Sequence, residues 1–496
     1  MIFPRFAQTL GVEKAIFGKD ARENARTLKQ ILPAEDVLTF AFSTRDGAAC
    51  VAVYTDGITD KQLLGELIAR PLAAQDAPKS RAEAMRTLLF PECRECDDAD
   101  DAAAEVLAGN PVLFLDGAEG GIVCGTKRVS MRAITEPQTS VTVKGPREGF
   151  IEDVKTNMAL IRKRLKTPRL RFLLSESGRE SRTFVCVAYL EGIADEKLVK
   201  KVQEKLGAVQ IDGIPDSSYV AKFLADRPFS LFKQIGTTEK PDVLCAKLLE
   251  GRVAVLTDGS PIALTLPYML AEDFQSAQDY FVSPWRATLS RALRLCAVLF
   301  SLLLPAFYIA AQLFKLQILP FALLMTISGG IRDIPLSPSL ELFFLLVVLE
   351  ILIEASVRMP KYVALALSVI GALVLGDTAV KAGLVSSPAI IIVALSGISA
   401  YTVPDLTGTL SMLRLAFIVV AGSIGTYGIV LLAALILWIL ISEDSYGTPL
   451  LAPFSPLIGK DLRDSLYKAD LYALDTRPAV FCGKNRRRLK KEGSHG

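Results

Sequence analysis

The sequence predicts a tandem-duplicated α/β region followed by an all-α polytopic transmembrane domain. Two observations carry this. Two separate stretches of the N-terminal half recur at nearly one offset, and the chain turns strongly apolar from Arg294 until about Ser442. Length agrees: 496 residues suggest two to four folding units at ~100–200 residues each.

The duplication is read from paired strings. "CVAVYTDGITDKQLL" (50–64) matches "VCVAYLEGIADEKLV" (185–199), aligning Gly57 with Gly192, Asp60 with Asp195 and Leu63 with Leu198. "NPVLFLDGAEGGIVCG" (110–125) matches "GRVAVLTDGSPIALTL" (251–266), aligning Asp116-Gly117 with Asp258-Gly259. The offsets are 135 and 142 residues, so one small α/β unit is written twice. Each copy should run strand, helix, further helix and strand hairpin. Asp116 and Asp258 read either as ligand carboxylates or as hairpin-turn residues; Asp-Gly suits a turn, because Gly supplies positive φ.

Between the copies lies "GPREGFIEDVKTNMALIRKRLK" (145–166). Gly145 and Pro146 end the preceding strand "TSVTV", and Arg147, Glu148 and Gly149 complete the linker motif. A helix should begin near Gly149, since Ile151, Val154, Met158, Ile161 and Leu165 form one apolar face. Glu152 and Asp153 suit its start; Arg162, Lys163, Arg164 and Lys166 suit its end, where the helix dipole favours cations. It reads as an amphipathic connector, or as a basic cluster facing lipid headgroups or a neighbouring subunit.

The apolar region opens with residues 295–314, twenty in number and uncharged, enough to cross the ~30 Å bilayer core. Arg286, Arg291 and Arg294 precede it and favour placing the N-terminal region inside. Residues 318–330 are too short to span and suggest a half-helix. Further apolar runs cover about 339–357, 362–383, 388–404 and 412–442, the last with the Gly-rich centre "AGSIGTYG", suited to close packing or a bend. Five crossings are expected, with parity open because the tail "GKNRRRLKK" is basic. Charges within these runs are costly in lipid and mark candidate sites. Glu350, Glu354 and Arg358 follow at helical-turn spacing, as do Asp377 and Lys381. They read as a polar ion-path lining or subunit contact, or as helix-end residues reaching the interface.

Composition excludes other classes. Lys plus Arg number 56 and Asp plus Glu 53, a net charge of +3, so nothing points to nucleic acid. The one histidine, His495, rules out His-based triads and metal sites, and neither a phosphate loop nor a dinucleotide fingerprint is present. An enzyme and a bound cofactor are therefore not expected. Eight scattered cysteines suit a reducing compartment, and Cys93/Cys96 in "CREC" read as a polar loop crowded by acids or as a thiol pair. No apolar leader of signal-peptide length precedes residue 292. The expected organisation is an N-terminal extension (1–35), a first α/β subdomain (36–144), a helical linker (145–168), a second α/β subdomain (169–275), a transmembrane domain (276–445) and a basic tail (446–496).

These strings carry a resemblance. With "VLTDGSPIALTLPYMLAEDFQSAQDYF", "LEILIEASVRMPKYVALALSVIGALVLGDTAVKAGLVSSPAIIIVALSGISAYTVP" and "SYGTPLLAPFSPLIGKDLRDSLYKADLYALDTRP", residues 145–166 make the chain resemble the A-subunit family of GerA-type spore germinant receptors, from about residue 30 to about 480. The resemblance implies a multi-pass protein of the spore inner membrane, partnered by a transporter-like B subunit and a lipoprotein C subunit. It further implies a homo-oligomer, a pentamer, that passes monovalent cations when a nutrient binds. It places Glu350, Glu354 and Arg358 on the family's charged membrane helix, and Arg147 and Glu148 on its linker motif. Asp377 and Lys381 depart from the uncharged polar residue and acid expected there, which bears on selectivity. Alternatives are an accessory stage V sporulation AF-type channel subunit and a secondary transporter.

Overall fold

A computed structural model describes residues 17–88, 90, 92–126, 144–314, 325, 329, 334–360, 363, 376–465, 467–481 and 485–488. The strand expected at 139–143, nearly all of the half-helix at 318–330, most of the run at 362–383, most of the string "GKNRRRLKK" and His495 lie outside these residues.

The first unit runs α1 (Ala21–Ile31), β1 (Val37–Ser43), β2 (Ala49–Thr55), a helical run in three segments (Lys61–Leu63, Leu64–Ala69, Arg70–Ala73), α2 (Arg81–Thr87), β3 (Cys93–Cys96), α3 (Ala99–Ala108), β4 (Val112–Leu115) and β5 (Gly121–Cys124). The second repeats this element for element: α4 (Val154–Arg164), β6 (Leu170–Ser177), β7 (Thr183–Leu190), α5 (Glu196–Gly207), α6 (Ser217–Leu224), β8 (Gly236–Thr238), α7 (Pro241–Leu249), β9 (Val253–Thr257) and β10 (Ala263–Leu266). The sheets share one order, β1-β2-β4-β5-β3 and β6-β7-β9-β10-β8, and every neighbouring pair is antiparallel.

Each sheet is covered on both faces, so its central strands are buried at every residue. Alternation sends Val51 and Val53 of β2 toward α1 and α3, and Cys50 and Ala52 toward the 61–73 run and α2. The helices begin where the sequence supplies caps: Asp20, Asp98, Asp153, Asp195 and Asp216 each accept a backbone N–H of the first turn.

The equivalences change the expected organisation. Helix α1 lies inside the expected 1–35 extension, yet its face of Ala21, Ala25, Leu28 and Ile31 belongs to the first core. Helix α4 is its counterpart, and Val154, Met158 and Ile161 belong to the second core. The expected connector is thus the opening helix of the second unit. Leu165 is only partly buried against that core, and the helix starts at Val154, capped by Asp153, rather than near Gly149. "CREC" is also not a loop: it is edge strand β3, paired with β5.

Two short 3-10 turns, Leu270–Phe274 and Ala277–Tyr280, lead into α8 (Pro284–Phe314). Then follow α9 (Pro338–Arg358), α10 (Ser387–Ala400), α11 (Thr407–Ile424) and α12 (Thr426–Ser442). These five helices share a core through Ile309, Leu346, Val393, Phe417 and Ile429. The run 412–442, expected as one crossing, is broken at Gly425 (φ +74). Helices α11 and α12 fold back on each other there, bringing Leu413 beside Ile436 and Leu440. Among the described residues, two helices are long and apolar enough to cross a membrane, Pro284–Phe314 and Pro404–Ile424, and two shorter apolar ones are Ser387–Ala400 and Thr426–Ser442. Of the five expected crossings, the described residues hold two helices long and apolar enough to span, while most of the run 362–383 lies outside them.

After α12, a small hairpin of β11 (Asp444–Ser445) and β12 (Thr448–Pro449) returns the chain to the second unit. Ser445 Oγ accepts from Tyr268 N–H (3.0 Å) and donates to the Gln234 carbonyl (2.7 Å). Further on, Arg477 Nε donates to the Leu249 carbonyl (2.7 Å).

Candidate functional site

Four helices converge on one polar cluster. Glu350, on α9, accepts hydrogen bonds from Ser411 Oγ (2.6 Å) and from the Arg414 guanidinium, both on α11. Arg414 also donates to Ser396 Oγ on α10 (3.1 Å), and Ser396 donates to the Ser301 carbonyl on α8 (2.7 Å). Arg414 is only 1% exposed, and its Nε finds no partner among the described residues. A buried guanidinium in an apolar bundle persists only when a carboxylate faces it. Glu350 is partly exposed, on a shallow cleft lined by Val347, Ile351, Glu354, Ala355, Arg358 and Leu415. Chemically, this is a carboxylate paired with a buried guanidinium at the edge of an apolar bundle, open to a cation from one side.

Among the described residues, the other candidate charges of the helical region form no bond to that cluster. Glu354 and Arg358 pair with each other (2.6 Å) and are exposed; Asp377 and Lys381 do the same (2.6 Å). Helical spacing correctly puts Glu350, Glu354 and Arg358 along one side of α9, yet Glu350 turns to Arg414 and the others do not.

The expected basic interface cluster divides. Arg162 is fully buried, with Nε and Nη2 both 2.8 Å from the Asp36 carboxylate, across the join of the two units. It also donates to the Thr167 and Leu170 carbonyls (2.9 and 3.1 Å). Arg162 therefore faces no neighbouring subunit. Lys163 and Arg164 pair with Glu148 at 3.2 and 2.7 Å, and Lys166 is exposed. Burial works against the Glu148 carboxylate, but these two cations hold it below the usual glutamate range. Arg147 is exposed and Gly149 buried. Gly145 has φ +118, and a side chain there would strike the Phe281 ring, while the Pro146 carbonyl accepts from Lys240 Nζ (3.4 Å).

Asp116 and Asp258 are pins rather than ligands. Asp116 accepts from Ala21 N–H (2.9 Å) at the start of α1, and Asp258 from Val154 N–H (3.1 Å) at the start of α4. Cys93 and Cys96 sit on opposite faces of β3, so they do not form a pair; the Cys93 thiol lies 3.7 Å from Cys124.

A second polar centre fills the joint between the second unit and the helices. It surrounds a cavity of about 500 Å³ lined by Lys233, Lys247, Arg252, Glu272, Asp273 and Asp405, among others. Glu272 binds Lys247 (2.9 Å) and Arg252; Lys233 reaches Asp273 (2.8 Å) and Asp405 (3.4 Å). Nearby, Asp279 holds Arg291 (3.2 Å) and Arg294 (2.8 Å), and Arg291 continues to Asp464 of the tail (3.2 Å). Burial pushes the Asp273 carboxyl up to about 6, against the pull of Lys233. Burial pulls Lys233 down, but Asp273, Asp405 and Glu272 together hold its ammonium above the usual lysine range.

Sequence reasoning missed Arg414 and most of this joint. A signal existed for Arg414, a lone charge within the apolar run 412–442. For Lys233, Glu272 and Asp464 there was none, because their partners are remote in the chain.

The model of the family described as Bacillus/Clostridium GerA spore germination protein matches residues 26–480. Spore germination protein KA of Bacillus subtilis (strain 168) is 33% identical over 481 residues, covering 95% of this chain and 88% of that protein. The uncharacterized membrane protein YfkQ of the same organism is 32% identical over 478 residues, covering 95% and 93%. Among solved structures, the N-terminal domain of the A subunit of the Bacillus megaterium spore germinant receptor GerK3 is 24% identical, with a TM-score of 0.39, covering 51% of this chain and 96% of that one. The chain is a member of the GerA spore germination protein family.

Proposed function

We propose that this protein is the A-type subunit of a germinant receptor in the spore inner membrane, with its N-terminal region on the cytoplasmic side and its helical region crossing the bilayer several times. It works with a transporter-like B subunit and a lipoprotein C subunit, assembles as a homo-oligomer (a pentamer), and passes monovalent cations when a nutrient binds. Glu350 faces the cation path and Arg414 fixes its position.

The observation that carries this reading is the Glu350–Arg414 pair, seated where α8, α9, α10 and α11 meet and open on one side to a cleft. A charge pair at that place is costly for an anchor and useful to a conductor. Family membership supports the germination context.

The test is potassium release from liposomes carrying the receptor complex. Glu350→Ala should cut the flux at least about tenfold, a barrier change of ~1.4 kcal/mol, with oligomer size unchanged. Unaltered flux from a correctly assembled Glu350→Ala complex removes the pore role.

A further inference from the structure

The loop that joins α6 to β8, residues 225–235, is clamped to the rim of the helical region. Phe232 is buried among Tyr268, Leu413 and Leu450, with Leu302 and Ile436 packed against them. Thr409, in the first turn of α11, donates its hydroxyl to the Leu231 carbonyl (3.0 Å). Ser230 donates to the carboxylate of Glu443 (2.7 Å), the residue that caps the end of α12. Three consecutive residues thus bind the start of one apolar helix and the end of its hairpin partner.

That clamp holds neighbouring apolar side chains out in the open. Phe229 is 99% exposed and Leu231 46%. Leaving a phenylalanine unburied forgoes ~1.5–3 kcal/mol, and an ordered clamp that keeps it outward needs a covering phase. The adjoining helix surface names that phase. Met412, three residues beyond Thr409, and Ile441 and Trp438, just before Glu443, are outward-facing large apolar residues of α11 and α12. Phe229 and Leu231 continue this surface at its edge. Arg227 is exposed in the same loop and suits anionic headgroups.

We propose that residues 227–231 anchor the second α/β unit to the membrane interface, with Phe229 and Leu231 entering the boundary between headgroups and acyl chains and Arg227 meeting lipid phosphate. This rests on the reading that α11 and α12 lie in a bilayer. The anchor fixes the height of the second unit, and therefore of the charged joint, over the lipid surface.

Trp285 and Trp438 are the chain's two tryptophans, which makes the test direct. Full-length protein with Trp285→Phe keeps Trp438 as a reporter of the spanning reading. A second protein, Trp285→Phe with Trp438→Phe and Phe229→Trp, reports the anchor; Leu231→Trp in the same background is its replicate should the first not fold. Both go into phosphatidylcholine–phosphatidylglycerol vesicles with acyl chains brominated near the headgroup. Tryptophan at 229 or 231 should lose about half its emission, as expected of an interfacial aromatic, and lose less with bromine near the chain terminus. Quenching of Trp438 without quenching at 229 or 231 overturns the anchor while the spanning reading stands. In that case, acrylamide access means the loop is in water, and protection means another protein or a second copy covers it. An unquenched Trp438 overturns the spanning reading, and the anchor falls with it.

Discussion

Arg162 lies in the last turn of α4 among four basic residues, and it is the one the fold removes from water. Its guanidinium reads Asp36 with two parallel hydrogen bonds, lies over the Phe172 ring and satisfies two carbonyls. Removing one partner strands a buried charge, so Asp36→Asn should lower stability by ~3–5 kcal/mol, measured by denaturant unfolding of the full chain in detergent. Lys163→Glu, at an exposed site, should stay within ~0.5 kcal/mol. The difference between the two lysine- or arginine-type positions was not legible in the sequence: Lys163 and Arg162 are adjacent, and the partner that separates them lies 126 residues earlier. By contrast, the turns at the two Asp-Gly pairs were legible, because a turn answers to its immediate neighbours; the bonds of their aspartates to Ala21 and Val154, 95 and 104 residues away, were not. The recurrence of the pairs exposed the duplication, and both copies put the aspartates to the same use.

Elements were legible where their periodicity differs from their surroundings. Strands β2 and β7 and the hairpins β4–β5 and β9–β10 fall into this class; β3, α1 and the start of α4 do not. Nor do helices α11 and α12, since an apolar run long enough for one crossing or for a tight hairpin looks the same residue by residue. The deciding position is Gly425, whose φ of +74 and ψ of −146 are essentially reserved to glycine and cost another residue ~1–3 kcal/mol. A Cβ there would also come within 2.9 Å of the Phe314 ring. Gly425→Ala should therefore lower the midpoint of thermal unfolding of the helical region (284–442) in detergent by several degrees, about 2–4 °C per kcal/mol for a unit of that size. An unchanged midpoint would mean that the hairpin does not depend on that turn. Strand β3 shows the opposite error, where four residues crowded by acids read as a polar loop, or as a thiol pair, although they form an edge strand whose period of two sends the cysteines to opposite faces.

Across the whole molecule, the charged joint is where the second α/β unit, the helices and the tail meet. Asp273 lies within it, and its carboxyl is raised from an ordinary 3.8 to about 6 by burial. A raised carboxyl binds its proton more tightly folded than unfolded. Its stabilising contribution is thus full below pH 3.8 and is lost as pH rises through about 6, by up to ~3 kcal/mol for a shift of about two units. The unfolding free energy of the native chain minus that of Asp273→Asn should fall by that amount between about pH 4 and pH 7. A flat difference would show that Lys233 compensates the burial fully. Little of this joint could be foreseen, because it is assembled from residues 233 to 294, 405, and 464 to 488, each unremarkable in its own neighbourhood. The return of the tail also sets an order of events during synthesis. Asp464 is a partner of Arg291, and Arg488 lines the cavity that Lys233 and Glu272 share. While the ribosome is still making α12, Arg291 lacks one of its two carboxylates and the cavity lacks part of its wall. The N-terminal units can fold as they emerge, but the lock between them and the helices closes only after translation has passed the helical region. Newly made chains therefore wait in an unlocked form, and that interval is open to whatever partner inserts or assembles them.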